Sequence, residues 1–151
     1  MLTESAAIIQ YLSETFANPE RIYVGSDNES RAALSEWCYF ILSELDASSL
    51  YIVRKHEGLK HIYGEAPTAV KAAKDYFFHN LDAMAPRIER GGPYLFGDQL
   101  SAADILLMTC LDWALSDKIT LPEPVQQYQK RVAARPAYKA ALTRNFADYR
   151  A

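Results

Sequence analysis

The side chains best suited to chemistry in this 151-residue chain stand at spacings that exclude several kinds of it. Cys38 and Cys110 lie far apart among apolar neighbours with no Cys-x-x-Cys pair, so both read as core thiols. His56, His61 and His79 lack the one-turn spacing that sets two imidazoles on one helical face, and no metal is expected. Binding chemistry remains. Glu4-Ser5 opens an apolar-periodic run, and a helix start presents unpaired N–H groups and a positive dipole end to an anion. The same pair also reads as a plain N-cap and a first-turn acid.

These residues are positioned by helices. The strongest local signal is Leu95-Phe96-Gly97-Asp98-Gln99-Leu100-Ser101-Ala102-Ala103-Asp104-Ile105. With Ser101 as N-cap, its hydroxyl can accept from the Asp104 amide while the Asp104 carboxylate reaches back to the Ser101 amide, a capping box with Asp in place of the commoner Glu or Gln. Leu100 and Ile105 then occupy the staple positions on either side of the cap. From Ile105 to Leu111 the run is nearly apolar all round, as expected of a helix surrounded by others.

The other elements follow from period and punctuation. A first helix is expected from Glu4 to about Phe16, with Ile8, Leu12 and Phe16 as its apolar stripe, broken by Ala17-Asn18-Pro19-Glu20. Ile22-Tyr23-Val24 is β-prone but bracketed as a linker. Ser26 and Glu29 suggest a second capping box, opening a long helix with the stripe Leu34, Trp37, Cys38, Ile41 and Leu45 that ends near Gly58. Pro67 suits the first turn of a third helix carrying Val70, Phe77, Leu81, Met84 and Ile88, stopped by Gly91-Gly92-Pro93. Shorter helices are expected over 122–134 and 136–146, divided at Arg135-Pro136. The expected product is an all-α bundle.

Composition fits one well-buried unit. Half the residues are hydrophobic and 23% are charged, ordinary globular values. A net charge of −3 gives no reason to expect nucleic acid or an anionic membrane as partner. No basic n-region and no apolar run of membrane-spanning length is present, and a cytoplasmic location is expected.

The aromatic, Gly-Asp, Ser-x-x-Asp and apolar sequence from Leu95 to Ile105 resembles the start of the central helix in the C-terminal domain of cytosolic glutathione transferases. Leu2-Thr3-Glu4-Ser5-Ala6-Ala7-Ile8-Ile9-Gln10-Tyr11-Leu12 is similar to the last helix of the thioredoxin-like N-terminal domain of the same enzymes. The resemblance implies that residues 1–16 are the last helix of that domain, 17–27 a linker, and 28–151 the glutathione transferase C-terminal helical bundle. The thioredoxin-like domain is then mostly absent, and the thiol-activating residue is expected outside this chain, so no transferase turnover is expected of it alone.

It further implies that Glu4 takes the ammonium of the γ-glutamyl group and that Ser5, with the helix amides, takes its carboxylate. Ser43-Glu44-Leu45-Asp46-Ala47 aligns with the part of the long helix where bacterial beta-class enzymes carry a Glu and then a His-Lys pair near glutathione. Glu44 is kept, whereas Asp46 and Ala47 replace the pair, a departure from beta-class chemistry. Glu44 is open to two readings, an ammonium partner across a dimer or a solvated carboxylate. Leu111-Asp112-Trp113-Ala114 resembles the place of a pocket Trp, so Trp113 reads equally as pocket wall and as core.

The function implied is conjugation of glutathione, as co-substrate, to a hydrophobic electrophile by the complete form, with this chain supplying the electrophile wall and the γ-glutamyl anchor. A second function class stays open: a non-catalytic dimerisation or protein-binding module of the same fold. A homodimer through the long helices is expected in either case, with Trp113, Tyr39 and Leu50 facing an open cleft.

Overall fold

The computed structural model describes residues 1–16 and 22–146, and these are all-helical with no regular strand among them. In order come α1 (Ser5–Phe16), α2 (Asn28–Phe40), a π-helical segment (Ile41–Leu50), α3 (Tyr51–Val53), a second π segment (Arg54–Gly58), α4 (Lys60–Tyr63), α5 (Pro67–Arg90), α6 (Ala102–Ser116), α7 (Glu123–Ala133) and α8 (Pro136–Asn145). The break expected at 17–20 lies outside the described residues. No helix among the described residues is long and apolar enough to cross a membrane.

Helix α6 is the axis of the bundle because most of its circumference is apolar, leaving only the narrow strip of Thr109, Asp112 and Ser116 to turn outward. Leu106, Leu107, Met108, Cys110, Leu111 and Ala114 are all buried, and α1, α2, the first π segment and α7 pack around them. Its start is the expected capping box: the Asp104 amide donates to Ser101 Oγ at 3.3 Å and the Ser101 amide donates to Asp104 Oδ2 at 2.7 Å.

The long helix runs from α2 through the second π segment to Gly58, where the sequence ends it. Leu34, Cys38, Ile41, Leu45 and Ser49 are buried at steps of three and four, and Leu50, five residues after Leu45, is buried beside Ser49, with Val53 next. In the π segment the backbone bonds reach five residues back, as from the Tyr51 amide to the Asp46 carbonyl, and Ser49 Oγ donates to the Glu44 carbonyl at 2.6 Å. The wider turn sets Leu50 on the same face as Leu45. Leu50 is therefore fully enclosed in the core, and the expectation that it faces an open cleft is wrong.

Two local expectations are also corrected. The capping box of α2 pairs Asp27 with Ser30, one residue later than the expected Ser26 and Glu29. The Ser30 amide donates to Asp27 Oδ1 at 2.8 Å, and the carboxylate is the stronger acceptor for that exposed amide; Ser26 Oγ instead donates to the Asp27 carboxylate. On α1 the buried residues are Ala6 and Ser13, with Ile9 packed against the core, whereas Leu12 and Phe16 of the expected stripe are exposed. Small side chains let α1 approach α6 closely, so the bulkier stripe is turned away.

Helix α5 begins with Pro67 at its first position and buries Val70, Phe77, Leu81, Met84 and Ile88, as its period predicts. Pro86 lies inside it on the solvent face, where the carbonyl it leaves without an amide donor can be hydrated. The loop to α6 turns at Gly97, whose φ of +92° favours glycine, and the Tyr94 amide donates to the Gly97 carbonyl at 3.0 Å. Segment 22–27 is fixed to this loop: the Tyr23 amide donates to the Leu100 carbonyl at 2.7 Å, and the Tyr23 and Phe96 rings stack at 4.9 Å.

Candidate functional site

The start of α1 is open. Ser5 is the first helical residue, and the Glu4 carbonyl accepts from the Ile8 amide at 2.9 Å, so backbone alone closes the first turn. Both side chains are exposed, and neither has a hydrogen-bond partner among the described residues. The first-turn amides likewise lack intrahelical acceptors, which leaves a hydroxyl, a carboxylate and a dipole end facing solvent together.

Glu44, Asp46 and Ala47 diverge around the π segment rather than converging. The Glu44 carboxylate accepts from the Tyr76 hydroxyl on α5 and from Ser43 Oγ at 2.9 Å. These donors, the phenol foremost, hold its carboxyl below the usual carboxylate range. Asp46 faces α6, close enough that its charge is felt at the Cys110 thiol, and burial pushes its carboxyl up. No described residue donates to it through a side chain. Ala47 is exposed and offers only a methyl group.

Trp113 stands at the end of an open groove of about 1050 Å³ between α6 and α8. Leu100, Ile105, Met108, Val132, Leu142 and Phe146 give it apolar walls, while Asp112 and Tyr138 supply polar atoms. The Trp113 indole also meets the edge of Tyr51 at 6.3 Å between centroids, and the Arg54 guanidinium lies 5.7 Å from its ring centre. Trp113 thus borders the groove on one side and packs against Tyr51 on the other. Tyr39 is 67% exposed on the outer face of α2.

Sequence reasoning missed the polar residues that fix these elements. Tyr128 on α7 is buried, and its hydroxyl donates to Oδ1 of Asp104. Tyr138 on α8 donates to Oδ2 of Asp112 at 2.7 Å, while Gln129 Nε2 donates to Oδ1 of the same carboxylate at 2.9 Å. Burial, followed by the Asp112 bond and charge, pushes the Tyr138 phenol up to about 12. The available signal was the period: Val125, Tyr128 and Val132 share one stripe of α7, and a tyrosine on such a stripe needs a partner for its hydroxyl. Among the described residues no group of three or more His, Cys, Asp or Glu is disposed to hold a metal ion.

Comparison with known proteins agrees with this architecture. Glutathione S-transferase GstA of Escherichia coli O157:H7 is 27% identical over 149 residues, covering 95% of this chain and 67% of that protein. The crystal structure of a glutathione transferase from Methylococcus capsulatus str. Bath superposes with a TM-score of 0.76 at 32% identity, covering 94% of this chain and 66% of that one. Ure2p5 from Phanerochaete chrysosporium, cocrystallised with 1-(S-glutathionyl)-2,4-dinitrobenzene, shares the fold with a TM-score of 0.83 at 15% identity, over 98% of this chain and 70% of that one. The chain thus spans about two-thirds of the length of these relatives. The family profile described as "Glutathione S-transferase, C-terminal domain" matches residues 54–144, and the chain belongs to that family.

Proposed function

We propose that this chain supplies the electrophile wall and the γ-glutamyl anchor of a glutathione-conjugating protein, acting in its complete form on hydrophobic electrophiles in the cytoplasm. The observation that carries the reading is the apolar groove of about 1050 Å³ along α6 with Trp113 in its wall. Its volume suits an apolar ligand of drug size. The open start of α1, with Glu4 and Ser5 untied, supports the anchor: amides and hydroxyl for a carboxylate, Glu4 for an ammonium. On this reading residues 1–16 are the last helix of a thioredoxin-like domain, 17–27 a linker and 28–151 the helical domain. Conjugation needs the glutathione thiol held as thiolate beside the acceptor carbon, so that the S–C bond forms as the leaving group departs. Within this reading Asp46 and Ala47 line the approach to glutathione without the basic groups of beta-class enzymes. Glu44, already bonded to Tyr76 and Ser43, orients the long helix instead of binding ammonium.

The test is titration of the Trp37→Phe variant with S-(2,4-dinitrophenyl)glutathione, following Trp113 emission. Saturable quenching is expected; no response to this or any other glutathione conjugate removes Trp113 from the site. A second reading, a non-catalytic dimerisation module of the same fold, is favoured by Tyr39 on α2 and by Leu12 and Phe16 on α1, all large side chains exposed on helix faces.

A further inference from the structure

Helix α8 forms one wall of the groove, yet none of its residues is buried. A helix that hides so little apolar surface gains little from packing, and its position depends on the few specific bonds it makes. Its root is held through Arg135, which precedes the first helical residue and donates to the Tyr94 hydroxyl on the loop before α6. Within the helix, the side-chain bond that crosses to α6 is Tyr138 to Asp112 at 2.7 Å. Thr143 only bonds back along its own helix, to the Lys139 carbonyl. Asp112 is in turn braced from α7 by Gln129 at 2.9 Å, so both carboxylate oxygens are occupied by donors from the two helices that follow α6.

We propose that Asp112 and Tyr138 form a latch that holds α8 against α6 and thereby sets the aperture of the groove beside Trp113. Both are positioning residues. The carboxylate is a strong acceptor in a half-buried setting, and the bond joins two residues that line the groove, one from each helix. With the bond in place, Leu142 and Phe146 face Ile105 and Met108 across a groove of fixed width. Without it, α8 keeps its root at Arg135 and its packing on α7 but loses its side-chain bond to α6, and its far end can swing about Arg135-Pro136. The effect on ligand size rests on the reading of the groove as a ligand site; the latch itself does not.

The decisive variants are Tyr138→Phe, which removes the donor and keeps the ring, and Asp112→Asn, which leaves one acceptor oxygen for two donors. Hydrogen–deuterium exchange of the full chain reads the latch. In Tyr138→Phe the amides of 136–145 should exchange about tenfold faster, the change expected for losing one hydrogen bond to a charged acceptor, while those of α5 and α6 keep their rates. Asp112→Asn should give a smaller acceleration, confined to α8 and the neighbouring end of α7. Titration with 1-anilinonaphthalene-8-sulfonate reads the aperture: weaker binding is expected in both variants, measured where urea unfolding shows each still fully folded, with midpoints lowered by no more than the lost bond accounts for. Unchanged exchange in α8 of Tyr138→Phe overturns the latch, and so does acceleration spread evenly over all helices. If the parent chain binds no such probe, the ligand-site reading fails by itself, and the exchange rates still decide the latch.

Discussion

The hydroxyl of Tyr128 donates to Oδ1 of Asp104, joining α7 to the first turn of α6 across 24 positions of sequence. The same carboxylate accepts from the Leu95 amide at 2.9 Å, from the Ser101 amide at 2.7 Å and from Ser101 Oγ at 2.6 Å. One buried side chain thereby fixes the loop before α6, its cap and the helix packed on its far side. Burial and the Asp104 charge together push the Tyr128 phenol well above its ordinary range, so it is a donor at neutral pH.

Asp104→Ala is accordingly expected to cost more than a cap. An exposed N-cap is worth about 1 kcal/mol, but this change strands buried donors from Leu95, Ser101 and Tyr128, and a loss of about 3–5 kcal/mol is expected. Ser101→Ala and Tyr128→Phe should each cost about 1–2 kcal/mol. Urea unfolding measures all three, and a double-mutant cycle between Ser101→Ala and Asp104→Ala should show coupling. Midpoints equal to the parent's would remove this carboxylate from its structural role.

The capping box was legible because both its partners lie within one turn of sequence. So were the enclosed helix α6 and the long α5, whose periods persist over many residues. The direction in which α1 faces was not: Ile8, Leu12 and Phe16 make the stronger stripe, but Ala6 and Ser13 permit the closer approach. Long-range polar bonds were hidden for another reason. Nothing local to Asp112 or Tyr138 announces that they meet, since helix order and the two intervening turns decide it. The π segment Ile41–Leu50 was hidden as well, because it changes register without any residue that marks the change.

Asp46 yields a pH-dependent prediction. Burial raises its carboxyl in the folded state, so the folded form binds that proton more tightly than the unfolded chain does. The resulting destabilisation is fully present above the folded pKa and vanishes as pH falls below the unfolded one. Asp46→Asn should therefore raise the urea midpoint at pH 7 and lose that advantage towards pH 3. An advantage that grows with acidity would show that the carboxylate is stabilised, not penalised, in the fold.

Cys38 and Cys110 should be inert while the protein is folded. Their exposures are 0% and 3%. Burial foremost pushes the thiols up to about 11 and about 12 respectively, so almost no thiolate is present at neutral pH. Labelling with 5,5′-dithiobis(2-nitrobenzoate) should follow the rate of global unfolding and speed up with urea accordingly. Rapid labelling of either thiol in buffer alone would place it at an opening the fold does not contain.

Self-association is expected through the outer face of the long helix, where Tyr39 is 67% exposed. Sedimentation velocity over a dilution series should reveal a dimer at micromolar concentration, and Tyr39→Glu should weaken it, because a charge would be desolvated at the contact. A monomer at every concentration would count against the dimer. Association indifferent to Tyr39→Glu would move the contact to another face.

The anchor prediction separates binding from stability at the start of α1. Glu4 and Ser5 are exposed and have no side-chain partner among the described residues, so Glu4→Gln and Ser5→Ala should each leave the urea midpoint within about 0.5 kcal/mol of the parent. Each should nevertheless weaken binding of S-(2,4-dinitrophenyl)glutathione by about tenfold, the effect of deleting one charge-assisted hydrogen bond. Calorimetric titration measures it, with S-methylglutathione as a second ligand that lacks the aromatic group. A loss common to both ligands assigns the two residues to the glutathione half of the molecule. A shift in stability with unchanged affinity would instead make Glu4 an ordinary cap and Ser5 an ordinary first-turn residue of α1.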